Sequence, residues 1–141
     1  MYKSWKPLGK NLEFFPGIEV KLDCRNIAIV ISYWRSGHCF YAFEISFINA
    51  LAGIKVVDES NFLYHSKDWP KNSDFEKAED SPIWVEKNSD RINLYNDTDP
   101  ELKLYNEIDS YYFSGQNVVV VLDVESKKPR IKEIDPKSLN D

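Results

Sequence analysis

The stretch His38–Ser60, HCFYAFEISFINALAGIKVVDES, decides the fold. It reads as two β-segments, Cys39–Phe47 and then Ile54–Val57, separated by a break at Ala52-Gly53. Within the first segment, His38, Phe40, Ala42, Glu44 and Ser46 fall on one side. Cys39, Tyr41, Phe43, Ile45 and Phe47 fall on the other, the better candidate for the core.

Upstream, Ser36-Gly37 is a short turn joining Cys39–Phe47 to Ile27–Trp34, so the two runs form a hairpin. The run Ile27–Trp34 is apolar on both faces and rich in β-branched residues, as a central strand is. Before it, Ile18–Cys24 alternates apolar and polar, the pattern of a strand with one face in water. Cys24 and Cys39 both fall inside these strands and read as buried free thiols.

Downstream, a short helix is expected around Phe62–Tyr64, capped by Asp58 or Ser60. A short strand fits Pro82–Glu86, and Ser89–Leu104 reads as a short helix broken at Asp99-Pro100. Tyr111–Phe113 folds back on Val118–Leu122, whose continuous β-branched run is buried on both faces. Arg130–Ile134 alternates and carries edge-strand charges. The resulting class is α+β: a single domain over residues 1–141, with a mostly antiparallel sheet of about six strands and two or three short helices.

Charge is distributed unevenly. Residues 74–110 hold 11 acidic and 4 basic side chains, a balance of −7 in a chain whose net charge is −5. Such a surface repels nucleic acid and anionic membrane and attracts a basic partner. An aromatic content of 14% exceeds what the core needs, which puts several Tyr and Trp at the surface. No signal-peptide run and no membrane span is legible, and a cytoplasmic address is expected.

Each motif that carries chemistry is incomplete. Asp97, Asp99 and Glu101 alternate as in a calcium loop, but the required glycine and the final glutamate are missing. The glycines are isolated, so no phosphate loop is formed. His38 lies beside Cys39, but alternation sends the two to opposite faces. His65 lies near Ser66 and Asp68 without a nucleophile motif around it. A small hydrolase or metal-dependent enzyme using His38 or His65 therefore stands as an alternative reading, and an adaptor subunit as another. No cofactor is expected.

Four pieces of sequence, Val56–Leu63, Trp84–Ser89, Asn117–Val124 and Lys128–Ile131, together with a lead-in strand ending in an aromatic, carry a resemblance. Over roughly two-thirds of the chain, in order, the pattern resembles the immunity proteins that bacteria encode beside polymorphic or contact-dependent toxins. The resemblance implies a cytoplasmic, non-enzymatic protein that binds one toxin domain and blocks it, with a basic nuclease suiting the acidic segment. Within that segment the expected contact residues are Asp97, Asp99 and Glu101, around the fixed φ of Pro100. Glu76, Glu79 and Asp80 come second, in a more polar stretch.

Overall fold

A computed structural model describes residues 1–58, 70–76, 81–96 and 104–140. Nine strands make up most of it: β1 (Lys3–Ser4), β2 (Gly17–Asp23), β3 (Asn26–Arg35), β4 (His38–Phe47), β5 (Leu51–Asp58), β6 (Ile83–Glu86), β7 (Ile108–Ser114), β8 (Val118–Glu125) and β9 (Arg130–Ile134). They form two antiparallel sheets, one ordered β2-β3-β4-β9 and the other β1-β6-β7-β8-β5. The chain changes sheet three times, after β1, after β4 and after β8.

This corrects the α+β expectation of about six strands in one sheet with two or three helices. Among the described residues the helical content is a 3-10 turn Asp90–Ile92 running into α1 (Asn93–Asn96), plus 3-10 turns at Asn72–Asp74 and Pro136–Leu139. The single sheet fails as a reading because the chain supplies two apolar strand faces that must meet. Ile27, Ile29, Ile31 and Tyr33 of β3 and Phe43, Ile45 and Phe47 of β4 pack against Tyr111 and Phe113 of β7 and Val120, Leu122 and Val124 of β8. The Phe47 and Tyr111 rings lie 5.0 Å apart across this core.

The five-stranded sheet is also covered on its outer face. Tyr112, Val119 and Val121 point away from the main core and are buried with Tyr2, Phe75 and Trp84. Phe75 stacks on Tyr2 at 4.9 Å and meets Tyr112 edge-on at 4.9 Å. Cover on both sides leaves β7 and β8 buried along nearly their whole length.

Local geometry explains the remaining differences. The β3–β4 turn is Ser36-Gly37, both at positive φ (50° and 78°), the two-residue hairpin geometry expected there. A second tight turn at Cys24-Arg25 joins β2 to β3, with Cys24 at φ 54°. Cys24 is therefore an exposed turn residue, not a buried strand residue, while Cys39 is buried. Ala52-Gly53 is a bulge inside β5 and not a break, because Leu51 and Gly53 face successive residues of β8.

Candidate partner-binding site

Within the acidic segment, the stretch Lys87–Tyr95 is held to the five-stranded sheet by two aspartates, one on each face of the β7–β8 pair. Asp123 of β8 is 1% exposed on the outer face. It accepts from Ser110 Oγ at 2.6 Å, Tyr95 Oη at 2.6 Å and Arg91 Nε at 2.9 Å. Ser110 is its cross-strand partner on β7, and Arg91 and Tyr95 come from the short helical segment above the sheet. Gly53, paired with Asp123 from β5, leaves room for the Tyr95 ring, which a β-carbon at that position would strike.

Asp109 of β7 is 2% exposed and lies on the inner side. It accepts from Lys87 Nζ at 3.2 Å, the Asn88 N–H at 3.0 Å and Ser126 Oγ at 2.8 Å. Asn88 takes φ 50° there, and Ser89 caps the next turn by accepting from the Arg91 N–H. Buried carboxylates persist only when donors saturate them, and here they organise the chain from Lys87 to Tyr95.

Asn96 bridges to Tyr105 across residues 97–104. Its side chain donates to the Tyr105 carbonyl at 2.8 Å and accepts from the Tyr105 N–H at 3.2 Å. The Tyr95 and Tyr105 rings meet edge-on at 5.8 Å.

The titratable groups of this region are stabilised in their ordinary forms. Burial raises the Tyr95 phenol, and its hydrogen bond to Asp123 adds to the effect. Burial alone would lower Arg91, but its bonding to Asp123 outweighs that and holds the guanidinium charged. Burial also raises the Tyr2 phenol, whose hydroxyl is enclosed without a hydrogen-bond partner among the described residues. None of these three groups is poised to exchange a proton near neutrality.

Of the sequence-derived contact residues, Glu76 is described and is exposed. It follows the Phe75 anchor, and its N–H donates to the Tyr2 carbonyl at 2.8 Å. Glu79, Asp80, Asp97, Asp99 and Glu101 lie outside the described residues, as does His65. His38 is exposed at the start of β4, and no group of three metal-binding side chains occurs among the described residues. The surface aromatics differ from expectation. Phe14, Phe15, Trp34 and Phe40 are exposed, whereas every described tyrosine is buried or half-buried.

Sequence reading missed Asp109, Asp123, Arg91 and Tyr95. The available signal was an aspartate inside each of two apolar strands, VVVVLDV and IDSYYF, where an unpartnered charge would not be tolerated.

No family model matches the chain, and neither the curated proteins nor the solved structures yield a significant match. Among the described residues, no helix is long and apolar enough to cross a membrane.

Proposed function

We propose that the protein binds and neutralises a basic bacterial toxin domain in the cytoplasm, as the immunity proteins it resembles do. The observation that supports this most is the Asn96–Tyr105 pairing. Asn96 and Tyr105 bond on either side of residues 97–104, and Asp123 and Asp109 tie Lys87–Tyr95 to the sheet. A segment whose ends are already fixed loses less entropy on binding than one free at its ends. The −7 balance of residues 74–110 complements a cationic partner and speeds encounter with it. In this reading Asp97, Asp99 and Glu101 are the first contact residues, and Glu76, Glu79 and Asp80 the second.

The test uses the protein domain encoded immediately upstream of this chain's gene, which this reading expects to be the toxin. Association is measured at two ionic strengths for the wild type and for a triple variant, Asp97→Lys, Asp99→Lys and Glu101→Lys. The variant should associate at least about tenfold more slowly, with a flatter salt dependence and an unchanged melting temperature. Equal rates and equal salt slopes would reduce these carboxylates to a solvated face. Failure of the neighbouring domain to bind the wild type would remove the toxin reading itself.

A further inference from the structure

A second feature lies where the two sheets part, between β6–β7 and the β8–β9 connection. A cleft of about 540 Å³ opens there, within the size range of small-molecule sites. Its floor is apolar and aromatic. Trp5 packs edge-on against Tyr111 at 5.2 Å, with Val85 and Ile131 alongside.

The charges around this floor are mostly committed. Lys87 pairs with Asp109 at 3.2 Å, and Lys127 lies 3.6 Å from Glu125 and donates to the Asn49 carbonyl at 3.2 Å. Two exposed lining residues remain without an ion pair among the described residues, Lys128 and Glu107. They sit on facing stretches of chain, because the Ser126 N–H donates to the Glu107 carbonyl at 3.2 Å. The rim therefore offers one uncommitted cation and one uncommitted anion over an apolar floor whose half-buried aromatic group is Trp5.

We propose that this cleft binds a small zwitterion with a flat apolar body, the chemistry of a free aromatic amino acid. Lys128 meets the ligand's carboxylate, Glu107 meets its ammonium, and the ring lies against Trp5. Neither a purely anionic nor a purely cationic ligand uses both rim charges. An aliphatic body lacks the ring-to-ring contact that Trp5 offers.

Three probes separate these contributions: L-phenylalanine, phenethylamine (cation only) and N-acetyl-L-phenylalanine (anion only). Binding is followed by the shift of the Trp5 indole N–H resonance in two-dimensional NMR of the full chain. Phenylalanine should bind saturably and about fivefold more tightly than either analogue, the upper end for one ion pair at an exposed rim. Lys128→Glu should reverse the order in favour of phenethylamine, and Glu107→Lys in favour of N-acetylphenylalanine. Both positions are exposed, so the variants keep the wild-type melting temperature. The same order of the three probes in all three proteins would overturn the proposal. Absence of a saturable Trp5 shift with any probe would overturn it equally.

Discussion

Replacing Asp123 with alanine tests whether the outer-face carboxylate holds the acidic segment in place. The substitution removes the acceptor for Arg91, Tyr95 and Ser110 together. The Arg91 side chain is only 18% exposed, so its largely buried charge would lose its Asp123 carboxylate. Breaking a buried pair in this way costs about 3–5 kcal/mol. Against a domain stability of about 5–15 kcal/mol, that is a large fraction of the total. Urea unfolding should show a lower midpoint with an unchanged slope, because the surface exposed on unfolding is the same. A double variant, Asp123→Leu with Arg91→Met, removes both charges and should recover about half the loss or more, since paired charges often do little better than apolar replacements. A loss below about 1 kcal/mol for Asp123→Ala would refute the reasoning. So would a double variant whose loss equals the sum of the two single ones.

Two further outcomes follow from the same packing. Burial raises Tyr2, Tyr33, Tyr95, Tyr111 and Tyr112, the last pushed up to about 12 from an ordinary value of 10.0. The neutral phenol is thus favoured in the folded state, so this stability is fully present below about pH 10 and is lost as pH climbs through 12. Near-ultraviolet phenolate absorbance should therefore rise together with loss of β-sheet circular dichroism, and gradual ionisation of these five before unfolding would contradict it. Gly53→Ala should cost about 1–3 kcal/mol by displacing the Tyr95 ring, and the cost should largely vanish when Tyr95 is itself alanine, as read from denaturation midpoints.

Strand identity was legible where the side-chain period was clean. The alternation of Cys39–Phe47 placed its core face correctly, and the Ser36-Gly37 turn located the hairpin. The β-branched run at Val118 announced a strand buried on both faces. What failed was local signal decided by distant partners. Gly53 reads as a break in one dimension, whereas its role is set by Tyr95, more than forty positions away. Capping residues around Ser89 announced a short helix broken at Asp99-Pro100; among the described residues it is a 3-10 turn, Asp90–Ile92, running into Asn93–Asn96, and Tyr105 pairs with Asn96. Residues 1–16 look like a lead-in, but Lys3-Ser4 forms an edge strand on β6, a pairing across eighty positions that no local pattern encodes. At the candidate site, the charge of the acidic segment was visible while its attachment was not. Attachment depends on Asp109 and Asp123 meeting partners brought close only by the fold.

The sheet order also bears on how the protein acquires its shape. Strand β5 pairs with β8, joining Asp58 to Val118, and β4 pairs with β9, joining Ser46 to Arg130. The early hairpins β2–β3 and β3–β4 can close within microseconds, but they expose a row of isoleucines and phenylalanines until the second sheet arrives. Each long-range pairing must first meet the entropy of closing a loop of sixty residues or more. Folding should accordingly be slow for a domain of this length. On the ribosome, the apolar face of the first four long strands must wait for nearly the whole chain to emerge, and in that interval the nascent protein is most prone to aggregate.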